Sequence, residues 1–297
     1  MTKQKNHLQG VLYSLLCYTV WGLFPLYWKL LKDVSPVEVL AHRILWSFVF
    51  MYLFCVFWKR KSLRPVFKDK KQTLKLALCG GIISVNWGLY IWAVSNNHVV
   101  DASLGYYINP LLNVLLGILF FKERLNRAQT VAVVLAFAGV AYFSYDHGSL
   151  PWISLILGLS FAIYASIKKT LTVSSLQGLT VETLLVTPMA LLYLTFLFSK
   201  HENAIFAISP LMTFLLIMAG VVTALPLFWF GIATGKIPLS TIGFLQYVSP
   251  TLQLLIGVVV FGEAFTTAHV VCFCCIWTGL ALYSGDMVKR MKKIIFK

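Results

Sequence analysis

The stretches "ASLGYYINPLLNVLLGILFFKERL" (Ala102–Leu125) and "IGFLQYVSPTLQLLIGVVVFGEAF" (Ile242–Phe265) stand 140 positions apart and read as two copies of one apolar helix. Each is long enough to cross a hydrocarbon layer, which needs about 20 residues. Each carries a proline in its apolar body, Pro110 in the first and Pro250 in the second. A proline removes one backbone donor and disturbs the helix one turn earlier. Inside a membrane that is tolerated where neighbours or water satisfy the freed carbonyl. Matched proline-bearing spans in two halves of a chain point to a solute site between them. Pro110 and Pro250 are therefore expected to mark helix kinks beside such a site.

The polar residues around the two prolines keep the same spacing. Tyr106, Asn109 and Asn113 stand at i, i+3 and i+7, on one helix face. Gln246, Ser249 and Gln253 occupy the corresponding positions of the second copy. Two polar stripes in register, each beside a proline, are expected to form two walls of one cavity. The alternative is that the amides join helices by hydrogen bonds. "SVNWGLYIWAV" adds Asn86 and Tyr90 at i and i+4, able to share that cavity. The first span adds Trp21, and the sixth adds Tyr164. Trp28, Trp58 and Trp152 lie near span ends and fit an interfacial belt.

Composition sets the class. The chain has 297 residues, of which 59% are hydrophobic and 12% charged. A soluble domain is roughly 45–50% apolar and about 25% charged. This chain is read as a polytopic membrane protein with about ten spans, at 8–31, 36–57, 76–96, 102–121, 128–145, 151–167, 178–198, 211–234, 239–261 and 267–285. The first is read as an uncleaved span, since the apolar run is too long for a signal peptide. The formal charge of +15 lies in short segments between spans, so it orients the chain and argues against a nucleic-acid partner. An inside N-terminus places the Lys59–Lys75 cluster and the tail "VKRMKKIIFK" inside, and leaves only Lys29, Lys32 and Lys200 outside. Both termini are expected in the cytoplasm.

The 140-residue offset extends beyond the opening pair. It relates Gly80 to Gly220, Tyr107 to Tyr247, Gly117 to Gly257, Glu123 to Glu263 and Gly139 to Gly279. Five spans per half is an odd number, so the second half enters the membrane from the opposite side. The expected architecture is all-α, with two inverted five-helix repeats, 1–146 and 147–297. Such repeats build secondary transporters.

Arg43 lies about seven residues into the second span, roughly 10 Å below the outer edge. An intramembrane arginine is a functional candidate by default. It is placed to receive a substrate carboxylate, or else to snorkel or to pair with Glu38 or Asp101. His42 points about 100° away from it. Glu123 and Glu263 are expected to cap or pair at helix ends. The six cysteines read as small buried hydrophobes, with no zinc-ligand spacing. Neither a phosphate-binding loop nor a hydrolase constellation is visible, so no cofactor, metal or enzymatic reaction is expected. A lipid-modifying enzyme would need clustered acids and histidines. A sensor or scaffold would have no use for matched polar prolines. The expected partners are a small-molecule solute and the lipid bilayer, and the sequence leaves a homodimer open.

The segments "YTVWGLFPLYWKLL", "AHRILWS", "NWGLYIWAVSNNHVVDASLGYYINPLLNVLLGILFFKERL", "GSLPWISLILGLSFAIYASIKK", "GLTVETLLVTPMALLYL", "AGVVTALPLFWF" and "PLSTIGFLQYVSPTLQLLIGVVVFGEAFT" cover nearly the whole chain in order. In these segments the chain resembles the RarD family, of the EamA-type branch of the drug/metabolite transporter superfamily. The resemblance implies ten helices, two EamA repeats and a bacterial inner-membrane location. It also implies a central cavity lined mainly by helices one to four and six to nine. Its name is tied to chloramphenicol sensitivity, and members of the superfamily move amino acids and other small metabolites. Asp101 departs from the expected glutamate but keeps the charge.

Overall fold

A backbone in hydrocarbon must satisfy its own hydrogen bonds, and helices do so within one segment. The computed structural model describes residues 2–121, 127–234, 236–237 and 245–295. Among them lie eleven α-helices. In chain order these are α1 (Thr2–Lys29), α2 (Pro36–Leu53), α3 (Arg64–Lys68), α4 (Lys70–Ser95), α5 (Val99–Phe121) and α6 (Arg127–His147). They continue as α7 (Trp152–Lys169), α8 (Ser175–Lys200), α9 (Pro210–Thr234), α10 (Val248–Leu255) and α11 (Thr267–Ile295). Two of them run on into a single wider π turn, α2 through Phe54–Trp58 and α10 through Ile256–Val260. Five segments are long and apolar enough to cross a membrane: His7–Lys29, Pro36–Trp58, Lys70–Ser95, Ser175–Lys200 and Pro210–Phe230.

The helix starts follow local chemistry. Pro36 opens α2 at a position where its missing N–H costs nothing. Asp69 accepts from the N–H groups of Lys71 and Gln72 at 3.0 and 3.1 Å. That cap starts α4 at Lys70, six residues ahead of the apolar run that the sequence marks from 76. The first turn of α4 is thus polar, and the basic connection before it folds in part as α3. Residues 239–244 of the expected ninth span, and Glu123, lie outside the described residues.

The two prolines differ. α5 continues as helix through Pro110, whereas Pro250 sits in the first turn of α10, after a turn at Gln246–Tyr247. A proline in a first turn forfeits no helical bond. The helix break among the described residues therefore falls at the second proline.

Helix packing depends on glycines. A Cβ on Gly80 would meet the Glu182 carbonyl oxygen at 2.8 Å and Val186 at 3.1 Å, so α4 and α8 touch backbone to backbone. A Cβ on Gly220 would meet Trp46 at 2.2–2.5 Å, where α9 crosses α2. The offset of 140 converts the Gly80–Val186 contact into Gly220–Trp46. It also converts Gly139 against Cys272 into Gly279 against Ala132, the seam between α6 and α11. Tyr107 and Tyr247, themselves 140 apart, stack with ring centroids 6.1 Å apart and planes 14° from parallel. Of the cysteines, Cys274 is exposed and Cys275 half-buried, so the expectation of six buried thiols holds for four.

Gly220→Ala should destabilise the protein by about 1–3 kcal/mol, because α2 and α9 must separate. Gly81→Ala, where an added Cβ meets nothing within 4 Å, should be neutral or stabilise by up to about 1 kcal/mol. Thermal unfolding in detergent measures both. Equal melting points for the two variants would refute the close crossing.

Candidate functional site

A cavity of about 640 Å³ lies between the helices. Its walls come from α1, α2, α4, α5, α7, α8, α9, α10 and the turn before α10; α6 and α11 contribute no wall residue among those described. At one end it reaches Lys61, Ser174 and Ser175, where Lys61 and Ser175 are exposed. The other end is filled by a packed core that includes Trp28, Val39, Ile91 and Leu216.

That filled end is also tied by polar contacts. Glu38 Oε1 accepts from the Ala204 N–H at 2.6 Å. The Tyr27 hydroxyl donates to the Leu215 carbonyl. Lys29 Nζ donates to Asn97 Oδ1 at 2.6 Å. Glu263 accepts from the N–H groups of Val99 and Val100 at 2.9 and 2.8 Å. Its carboxylate thereby caps the start of α5, where helix geometry leaves N–H groups open and favours negative charge. Gly262, in the left-handed region at φ +68°, turns the chain so that Glu263 reaches back.

Ten of the eleven expected binding residues line the cavity: Trp21, Arg43, Asn86, Tyr90, Tyr106, Asn109, Tyr164, Gln246, Ser249 and Gln253. Pro250 lines it as well; Pro110 does not. Asn113 is the exception. It is exposed, lies off the cavity wall and donates to Asn109 Oδ1 at 3.0 Å. Its counterpart Gln253 makes the same one-turn bond, to Ser249 Oγ at 3.1 Å. Being one methylene longer, Gln253 also reaches the Trp21 carbonyl at 3.2 Å and is buried. The shorter amide is satisfied by its own helix, so Asn113 does not join the wall that Gln253 helps to build.

The remaining amides act partly as helix joints. Asn86 Nδ2 donates to the Leu157 carbonyl and to Ser160 Oγ, both at 2.9 Å, joining α4 to α7. Asn109 Nδ2 donates to the Gly158 carbonyl at 3.0 Å, joining α5 to α7. The polar stripes are at once cavity wall and interhelical bond. On the α7–α8 side, Glu182 is 1% exposed and accepts from Lys168 at 2.7 Å and from the Tyr164 hydroxyl at 3.1 Å.

Arg43 differs from these. It is 3% exposed. It pairs with neither Glu38 nor Asp101: Glu38 holds Ala204, and Asp101 faces His98 at 3.0 Å. Three rings surround its guanidinium, with centroids 4.2 Å away at Trp87, 4.8 Å at Trp28 and 5.8 Å at Phe24. Each such contact is worth roughly 0.5–2 kcal/mol. Burying an unpaired cation costs several kcal/mol, which the rings offset only in part. Its Nε and Nη1 have no hydrogen-bond partner. Trp28 is fully buried beside Arg43 and is no interfacial belt residue, while Trp58 and Trp152 are exposed. Trp87, Phe161, Thr223 and Lys168 are wall residues that the sequence pattern did not single out. Trp87 adjoins Asn86 but lacks a partner at the 140-residue offset, where Leu227 stands.

Comparison with known proteins identifies the family. Residues 8–145 match the EamA-like transporter family. The chain is 47% identical over 286 residues to the transporter YojE of Bacillus subtilis, which covers 95% of each chain. It is 39% identical to Protein RarD of Escherichia coli, across 97% of this chain and 98% of that one. It is 31% identical to the chloramphenicol-sensitive protein RarD of Pseudomonas aeruginosa, across 96% of each. A solved crystal structure matches at TM-score 0.59 and 16% identity, over 93% of this chain and 97% of that one, which supports the fold. With five membrane-length helices and bacterial transporter relatives, this is a multi-pass protein of the bacterial inner membrane. The chain belongs to the EamA/RarD family of the drug/metabolite transporter superfamily.

Proposed function

We propose that this transporter moves a small solute by alternating access, with the cavity as the solute site. The halves 1–146 and 147–297 are the moving parts, arranged as inverted five-helix repeats across about ten spans. One observation carries the reading: both halves build the wall. Trp21, Arg43, Asn86, Tyr90, Tyr106 and Asn109 come from the first, and Tyr164, Thr223, Gln246, Ser249 and Gln253 from the second. A site shared between two halves opens to one side or the other as they rock. The paired glycine contacts and the Tyr107–Tyr247 stack support a two-fold relation between the halves.

The charge distribution supports N-in and C-in. Lys59–Lys75 and the tail then face the cytoplasm, where basic loops concentrate. In that orientation the exposed mouth at Lys61 and Ser175 faces inward. The Glu38–Ala204, Tyr27–Leu215 and Glu263–Val99 contacts close the outer end, and all three join one half to the other. The described conformation is then inward-open, and the outer contacts are the gate that must release.

Reporter fusions at Lys70 and after Ile295 should read cytoplasmic, and one at Phe206 periplasmic. A periplasmic signal at Lys70 would overturn the orientation.

Alternating access is checked without knowing the solute. Thr223→Cys, in a chain with Cys274 and Cys275 replaced by serine, should react with a membrane-impermeant maleimide from the cytoplasmic side. Glu263→Ala removes two charge-assisted hydrogen bonds, each worth roughly 1.5–3 kcal/mol. It should raise labelling from the periplasmic side by about tenfold or more, since about 1.4 kcal/mol shifts a population tenfold. Unchanged periplasmic labelling in Glu263→Ala would count against the gate, and no labelling from either side against the cavity.

A further inference from the structure

The charged side chains on the cavity wall are all basic: Arg43, Lys61 and Lys168. Neither aspartate nor glutamate lines it among the described residues. Glu182 stands behind the wall, its carboxylate occupied by Lys168 and Tyr164. A cleft of one sign with low-dielectric walls concentrates ions of the other sign. Lys61 and Lys168 lie with Ser174 and Ser175 on the wall, toward the exposed mouth, along the route a solute would take inward.

Among the described residues Arg43 is the buried wall cation without an ionic partner: Lys168 is paired with Glu182, and Lys61 is exposed to solvent. Its three aromatic neighbours act through ring faces, whereas a guanidinium carries its five N–H donors in its own plane. Ring contact therefore leaves the donors unmet, as the unpartnered Nε and Nη1 show. The Tyr90 and Thr223 hydroxyls on the same wall are also buried and unpartnered. These groups are all able to donate. The pure acceptor left open is Gln253 Oε1.

We propose that the cavity takes a small organic anion, its carboxylate held by Arg43 and its aromatic or apolar body packed on Trp21, Tyr106 and Phe161. A carboxylate presents two oxygens to the planar fork, which is the arrangement that best completes a guanidinium. A free ammonium group meets no carboxylate on the wall and is opposed by Arg43 and Lys61, Lys168 being compensated by Glu182. Zwitterions and amines are therefore disfavoured by charge, and a neutral solute leaves Arg43 unpaired. The inference rests on reading this cavity as the solute site.

The test uses the full chain purified in detergent and six related probes. Benzoate, phenylacetate and phenylpyruvate are the anions. The comparison compounds are 2-phenylethanol (neutral), 2-phenylethylamine (cationic) and phenylalanine (zwitterionic). Binding to the folded state raises the unfolding temperature. At least one carboxylate should raise it by several degrees and bind on the order of tenfold tighter than any comparison compound, a typical single charge-pair effect. Arg43→Gln should lose about tenfold of that carboxylate affinity, and Arg43→Lys should keep part of it. If no carboxylate exceeds the neutral alcohol, or if the amine or phenylalanine binds as tightly, the inference fails. It fails also if Arg43→Gln binds the carboxylate as the native protein does. Should Arg43→Gln not fold, the ranking of the six probes on the native protein decides alone. Transport is not read here. Anion-selective binding in a chain whose cavity is never labelled from outside would sink alternating access and leave this inference standing. Two-sided labelling with a preference for phenylalanine would do the reverse.

Discussion

A backbone polar group in hydrocarbon has no water to turn to, and the rest of this fold follows from that constraint. It confines the chain to helices and makes each helix end a problem to be solved within the protein. The solutions are visible. Pro36 removes a donor that would stand open. Asp69 and Glu263 supply carboxylates to the first turns of α4 and α5. Glu263 does so from the other half of the chain, so a local requirement of one helix ties two parts of the molecule together. Close contact then becomes the main source of packing energy, because lipid is as apolar as the side chains. That is why Gly80, Gly220, Gly139 and Gly279 sit where backbones meet.

Much of this was legible in the sequence. Apolar runs located the helices, because hydrophobic length is a direct physical requirement of the bilayer, but α1 and α4 start six residues before their runs and α11 continues ten residues past 285, since polar turns can extend a helix beyond its apolar stretch. The offset of 140 predicted which glycines correspond, and the contacts of Gly80 and Gly220, and of Gly139 and Gly279, do correspond. The polar stripe was legible as a face, since helical periodicity is rigid. Other features depended on tertiary contacts that no local pattern encodes. Asn113 occupies the right helix position, yet is exposed off the wall and donates to Asn109 of its own helix, whereas Asn109 itself reaches α7. Trp28 lies near a span end and still serves the core, since Arg43 must be shielded from above. The pairing of Glu38 with the Ala204 N–H, in preference to Arg43, depends on a loop 166 residues away. Lys168 is not singled out by the sequence pattern, while in the fold it is a wall residue bonded to Glu182.

The halves are related but not interchangeable. Asn109 corresponds to Ser249, Asn113 to Gln253 and Trp87 to Leu227. α5 runs unbroken past its proline, whereas α10 begins beside its own. Arg43 has a threonine, Thr183, at the offset position, which bonds back to its own helix. The cavity is therefore polar in a lopsided way: the first half carries the unpaired Arg43 and its aromatic cage, and the second carries Lys168 bound to Glu182, the Thr223 and Ser249 hydroxyls and a long amide. Under the proposed inverted repeats a symmetric scaffold would hold an asymmetric site, as the proposed solute with a charged head and an apolar body requires.

The stacked pair Tyr107–Tyr247 has one further consequence. If the proposed two-fold relates the halves, two residues that it exchanges and that touch each other, as Tyr107 and Tyr247 do, lie against its axis. When two halves rock in opposite senses, points on the axis travel least. Under the proposed rocking the tyrosine pair would serve as a bearing, staying in contact while the mouths at either end change places. The hydrogen bond of Tyr107 to Thr251 at 2.5 Å and its ring contacts with Phe273 and Trp277 then anchor the fulcrum to α10 and α11. Most of the motion would be felt far from it, where the polar ties lie, so small angular changes at the bearing become large displacements at the gate.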